Sequence, residues 1–240
     1  ASGATGKAAG TLVVRGENDL EDIFEKHGKL GGVAYWKKIH EGLQNIKKVI
    51  DDEHIDCDAE SQDTLYCNTI DSLPDDLDLR KEYQIEKSLE PSTKFLEGAE
   101  LKKEINTDWF NHGILSANHG LSVNPLKLTQ NLSKSVEKYG GKIYENTNFL
   151  RSANNIAETA HGNIKYKQIV LAIDVDYPTK KIVNQKSTIV ITLPLTDNEL
   201  AITGLAKKKI VFDNKTDYLY FKVTKENRLL LGSGITKITK

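Results

Sequence analysis

The sequence predicts a mixed α/β fold, an α/β part interleaved with an antiparallel sheet, and three observations predict it. Apolar residues recur every three or four positions from about Gly32 to Asp51, the period of an amphipathic helix. A stretch opened by Pro125 reads as a helix, stops at Gly140-Gly141 and runs into KIYENTNFL, a helix–strand unit of the kind that flanks a parallel sheet. The last third breaks into STIVITLPL, KKIVFDN, DYLYFKVT and NRLLLGSG, short β-rich runs separated by polar turns.

The elements follow in order. Residues 1 to 14 are rich in Gly, Ala, Ser and Thr and then apolar, a composition that lets backbone N–H groups lie close against a ligand. In the first long helix Val33, Trp36, Ile39, Leu43, Ile46 and Val49 form the apolar face, opposite Lys37, Lys38, Glu41, Lys47 and Lys48. Residues 55 to 70 read as short strands around Cys57 and Cys67. SLPDDLDLRKEY carries a helix-start signature, and a second short helix is expected near Glu97 to Ile105. Around Asn-His-Gly at 111–113 the pattern reads as strand, turn, strand up to LSV. On the helix after Pro125, Leu128, Leu132, Val136 and Tyr139 share one side. YKQIVLAIDV then reads as a buried strand.

Composition excludes several classes. With 33 Lys+Arg against 34 Asp+Glu the net charge is −1, which argues against nucleic acid as a partner. No run approaches the 18 apolar residues of a membrane span, and 38% hydrophobic content is too high for a disordered chain. Two cysteines make no disulfide framework and fit ordinary thiols of a cytoplasmic protein. There is no Met, which implies a start inside a longer gene product or the loss of Met positions.

Three motifs invite chemistry. GATGKAAG at 3–10 fails as a P-loop, because Lys7 is followed by Ala8 and no strand precedes it; no G-x-G-x-x-G occurs either. It is a flexible N-terminus or a ligand-contacting loop. His112 and His119 repeat the triplet Asn-His-Gly, a spacing that favours turn positions over metal ligation. No G-x-S-x-G elbow is present to support a nucleophile triad. Alternation along DYLYFKVT puts Tyr218, Tyr220 and Lys222 on one strand face, either a small pocket for an anionic or zwitterionic molecule or a solvated sheet face.

Taken in order along the chain, ASGATGKAAGTL, GLSVNPLKLTQNLSKSVEKYGGKIYENTNFL, YKQIVLAIDV, TLPL and YFKVTKENRLLLGSG resemble the FAD-dependent oxidoreductases of the D-amino-acid oxidase superfamily. The similarity is to the branch of gamma-glutamylputrescine and glycine or sarcosine oxidases, and it covers nearly the whole chain. It implies FAD as cofactor and an amine or amino acid as substrate. It further implies that Ser2, Gly3, Lys7, Ala8, Ala9, Gly10, Thr11 and Leu12 run along the flavin nucleotide, and that Phe149 takes the place of the adenine-contacting strand. Lys222 falls where family members often carry a carboxylate-gripping Arg; Lys keeps the charge and loses the bidentate fork. Tyr220, Lys222 and His112 are therefore the substrate-pocket candidates.

The resemblance implies residues 1–54 and 118–176 as a partial FAD-binding domain and residues 55–117 and 177–240 as a substrate domain. Ile173-Asp174-Val175-Asp176 departs from the small residues usual there. The family's nucleotide-binding opening unit would precede residue 1, and its closing strand and helix would follow Gly234, so this chain taken alone is expected to hold FAD poorly. The leading reading is a core of an oxidoreductase acting on a C–N bond, with an electron-acceptor protein or a second copy as further partners. Its rival is a degenerate, non-catalytic module that binds a small molecule or a protein.

Overall fold

The structure, a computed structural model, describes residues 3–16, 18–71, 79–173, 185–215 and 218–237. Ser2 and Asp174 to Asp176 lie outside the described residues. The chain opens with a turn of 3-10 helix (Thr5–Lys7), β1 (Thr11–Val13) and α1 (Leu20–Asp52). β2 (Glu60–Thr69), α2 (Leu79–Leu89), β3 (Lys94–Glu97), α3 (Gly98–Glu104) and β4 (Phe110–Ser122) follow. Next come α4 (Pro125–Lys138), β5 (Phe149–Ala153), β6 (Ile156–Thr159) and β7 (Gly162–Lys165). The last part is β8 (Gln185–Pro194), α5 (Asp197–Thr203), β9 (Lys209–Asp213), β10 (Leu219–Val223) and β11 (Arg228–Lys237).

One large sheet dominates, in the order β1-β4-β2-β9-β10-β11-β8, with β3 also on β4. The last third is antiparallel, as its short β runs require, with β10 between β9 and β11. β2 and β9 pair in parallel and join the two halves. Register places Thr64 and Tyr66 of β2, Ile210 and Phe212 of β9, and Tyr220 and Lys222 of β10 on one face. Leu65, Cys67, Val211, Phe221 and Val223 point the other way, into a core closed by Leu101 of α3 and Leu200 of α5. A second core packs Trp36, Leu43 and Ile50 of α1 against Leu121 and Val123. Both cysteines are buried and free. Among the described residues no helix is long and apolar enough to cross a membrane.

Several local expectations are corrected. The first helix begins at Leu20 rather than Gly32 and kinks at Gly28, whose φ of 66° breaks the helical run. Its early start follows from a cap that no local pattern reveals: the Glu82 carboxylate accepts the N–H groups of Leu20 and Glu21. Residues 60–69 form one strand, not several. The stretch from 110 to 122 is one strand, not strand–turn–strand. Its pairing with β2 steps from Gln62–Gly120 to Thr64–Ser116, a bulge in which Asn118 adopts φ 58°. The glycines of the two Asn-His-Gly triplets serve close packing instead of a turn. A Cβ at Gly113 would stand 2.8 Å from Leu65 Cδ1, and one at Gly120 2.8 Å from Ile210 Cδ1.

KIYENTNFL forms a strand only from Phe149 onward, and that strand joins the separate β5-β6-β7 sheet. Residues 166–173 of YKQIVLAIDV form no strand, and Val170 is 89% exposed. An apolar run becomes a buried strand only beside a pairing neighbour, and no described strand pairs there. The helix α4 therefore does not flank a parallel sheet in the described structure.

Candidate active site

The small-residue stretch lies on the sheet face that carries Tyr66, Phe212, Tyr220 and Lys222. Gly10 makes the approach possible, with φ 66° and a position where a Cβ would stand 2.1 Å from Val123 O. Its carbonyl accepts the Val123 N–H at 2.9 Å. Lys222, 1% exposed, rises from the sheet and donates from Nζ to Gly10 O at 2.6 Å and to Val123 O at 3.3 Å. Burial pushes this ammonium down to about 8, with Glu60 opposing. Lys222 thus ties the loop and the start of α4 to the sheet floor.

Two cavities flank the loop, and Ala9 lines both. The smaller, about 300 Å³, is bounded by Gly6, Lys7, Ala8, Ala9, Asn124 and Pro125 above Lys222. The larger, about 640 Å³, lies over Tyr66, Phe212, Tyr218 and Tyr220, with Thr11, Val13, Arg15 and Asp19 along its rim. The Tyr218 and Tyr220 rings stand 5.8 Å apart. Tyr220 lies across its cross-strand partner Gly232, where a Cβ would come within 2.1 Å of the ring carbon Cζ. The Gly of LLLGSG thereby makes room for an aromatic wall.

At the edge of the larger cavity Arg15 is held by three carboxylates. Nη1 donates to Glu82 Oε1 at 2.6 Å and Asp19 Oδ1 at 3.3 Å, and Nη2 to Glu86 Oε2 at 3.0 Å. Its guanidinium sits 4.0 Å from the Tyr66 ring centroid. Burial acts against its charge, but Glu82 and Glu86 outweigh it and keep the guanidinium firmly protonated. Burial raises the carboxyl pKa of both Asp19 and Glu86, with Arg15 opposing in each. Tyr66, raised by the same burial, donates its hydroxyl to Asp19 Oδ1 at 3.0 Å. His119 packs between Trp36 and His40, and burial lowers it to about 4, so it is neutral near pH 7.

The expected residues separate by place. Gly10, Thr11 and Leu12 carry the loop into β1, Lys7, Ala8 and Ala9 line the smaller cavity, and Gly3 faces open space. Tyr220 lines the larger cavity and Lys222 the smaller. His112 is apart from both, against Phe95 and Glu97 at the β3 edge. Phe149 is in the small sheet, 37% exposed. Sequence reading missed Arg15, Asp19, Tyr66, Glu82 and Glu86. The available signal was Glu82, Glu86 and Glu90 at four-residue spacing, the first two of them on α2 and buried.

The loop chemistry fits a flavin nucleotide: small, exposed residues from Gly3 to Thr5, and a glycine seat at Gly10 that a Cβ would fill. A family model described as FAD dependent oxidoreductase matches residues 1–238. The chain is 25% identical over 242 residues to gamma-glutamylputrescine oxidoreductase of Escherichia coli (strain K12), covering 97% of this chain and 56% of that protein. Glycine oxidase from Geobacillus kaustophilus superposes with a TM-score of 0.69 at 18% identity, over 99% of this chain and 63% of that one. L-proline dehydrogenase from P. horikoshii gives 0.68 at 17% identity, over 99% and 61%. The chain thus spans a little over half the length of its curated relative. With nearly every residue matched by the family model and its loop, sheet and cavities arranged as described, the chain belongs to the FAD-dependent oxidoreductase family.

Proposed function

We propose that this chain supplies the substrate-facing core of an enzyme that oxidises a C–N bond of an amine or amino acid. When bound, FAD would accept the hydride from the substrate carbon. The chain's own residues do the rest. Gly3 and Lys7 to Leu12 lie along the nucleotide, with Ser2 continuing the same stretch and Phe149 serving the adenine side. Tyr66, Phe212, Tyr218 and Tyr220 form a wall that orients the substrate and excludes water. Lys222 acts here as a positioning residue for the loop, its Nζ being taken by Gly10 O and Val123 O. On this reading residues 1–54 and 118–176 serve the cofactor and residues 55–117 and 177–240 the substrate.

One observation carries the proposal: the small-residue loop is fastened onto the sheet face beside an aromatic cavity of about 640 Å³, not directed away from it. The enzyme reading is tested on the purified full-length protein. It should show flavin absorbance that bleaches anaerobically when an amine or amino-acid substrate is added. A flavin-free protein, or a flavin that no member of an amine and amino-acid panel reduces, would overturn it in favour of the binding-module reading.

A further inference from the structure

The larger cavity carries cations that are already committed, and this bears on which substrates it accepts. An amino-acid substrate needs a free guanidinium or ammonium for its carboxylate. Arg15 has three carboxylates around it, Asp19, Glu82 and Glu86. One positive charge against three negative gives the group a formal charge of −2, and −1 if burial keeps Glu86 protonated. No neighbour reverses this. Lys215 pairs with Asp71 and lies over Trp109, Lys222 is taken by two backbone carbonyls, and His119 is uncharged near pH 7 beside Glu86 and Glu90.

Asp19 adds a second, independent sign. It occupies the N-cap position of α1, where an aspartate ordinarily accepts a bond from its own helix, yet it caps nothing. Glu82 performs the capping instead, and Asp19 turns to Tyr66 and Arg15 at the cavity rim. Its Oδ2 accepts from none of the described residues. An acidic oxygen lining the same cavity as the Tyr66, Tyr218 and Tyr220 rings supplies the two things that recognise an alkylammonium, a charge partner and π faces.

We infer that the larger cavity selects a cationic alkylamine without a carboxylate beside its nitrogen, with Asp19 as the ammonium partner and Glu82 and Glu86 withholding Arg15 from carboxylates. This rests on the reading above that the cavity is the substrate site. The test uses the FAD-loaded full-length protein and three probes of matched chain, pentylamine, norleucine and hexanoate, followed by flavin absorbance perturbation and by kcat/KM. Pentylamine should bind on the order of 100-fold more tightly than norleucine, because norleucine sets its carboxylate, a like charge, against an acidic site. Asp19→Asn keeps the shape and the Tyr66 bond and should reduce that preference about tenfold without changing FAD content. Glu86→Gln should move norleucine binding in the favourable direction. Tighter binding of norleucine or hexanoate than pentylamine, or an Asp19→Asn effect equal on all three probes, would overturn the inference alone. Absence of any response with FAD in place would instead strike the assignment of the cavity as the substrate site.

Discussion

Replacing Lys222 by Met tests how the loop is held. The side chains are similar in length, so the cavity left is small, and the change removes an ammonium that is 1% exposed. Two effects oppose one another. The Nζ bonds to Gly10 O and Val123 O disappear; Gly10 O keeps the Val123 N–H, while Val123 O loses its donor. Bonds from a charged donor contribute roughly 1.5–3 kcal/mol each, and the longer one less. Against this, the ammonium is disfavoured by burial, its pKa lying at about 8 instead of 10.5. At about 1.4 kcal/mol per pH unit that gap is about 3 kcal/mol of destabilisation wherever the lysine is charged in both states.

At pH 7 the two effects nearly cancel, so Lys222→Met should lie within about 1–2 kcal/mol of the parent. The pH dependence distinguishes them. The folded pKa is lowered, so between 8 and 10.5 the unfolded chain holds the proton more tightly than the folded one. The parent's stability should therefore rise with pH across that window, by up to about 3 kcal/mol more than the variant's. Urea unfolding followed by Trp36 fluorescence at pH 7.5 and pH 10, taken as parent minus variant, cancels the other lysines and tyrosines. Parallel profiles for the two proteins would refute the assignment of a strained, buried ammonium at this position.

Arg15→Met should be severe, about 3–5 kcal/mol, because Glu82 and Glu86 are left buried without their cation; a Tm unchanged within error would show that the network carries no weight. Gly10→Ala demands a Cβ 2.1 Å from Val123 O at φ 66°, so the loop must lift. The expected result is a loss of about 1–3 kcal/mol in urea unfolding together with weakened FAD retention in the full-length protein, and normal retention would count against the loop's role. His119 stays neutral down to about 4 in the folded state but protonates near 6.5 when unfolded. Its contribution is complete above pH 6.5 and is lost as pH falls toward 4, by up to about 3 kcal/mol. His119→Phe should flatten that part of the stability profile, and an unaltered acid limb would contradict the reading.

The legible parts of this fold are those in which local pattern and final environment agree. The β10 alternation placed Tyr220 and Lys222 on one face because strand period alone fixes facing, and Tyr218, just before the strand, stands with its ring 5.8 Å from that of Tyr220. The Pro125 start and Gly140-Gly141 stop bound α4, since both act through their own backbone geometry. Illegible parts depended on distant partners. The two Asn-His-Gly triplets looked like turns, because glycine's tolerance of turns is a local property while its service to the Leu65 and Ile210 side chains is not. The start of α1 was misplaced because its cap, Glu82, is 62 residues away in sequence. IVLA looked buried because apolarity is intrinsic, but strand formation needs a pairing neighbour.

The sequence by itself determined the mixed fold class, the small-residue loop, the aromatic face of β10 and the family to which these motifs point. Only the tertiary structure decided that Lys222 grips backbone rather than open solvent, and that Arg15 is surrounded by carboxylates. A side chain's type and face are set by chemistry and period within a few residues. Its charge balance is set by groups brought beside it from 67 and 71 positions away, as Glu82 and Glu86 are to Arg15, and no local pattern encodes that meeting.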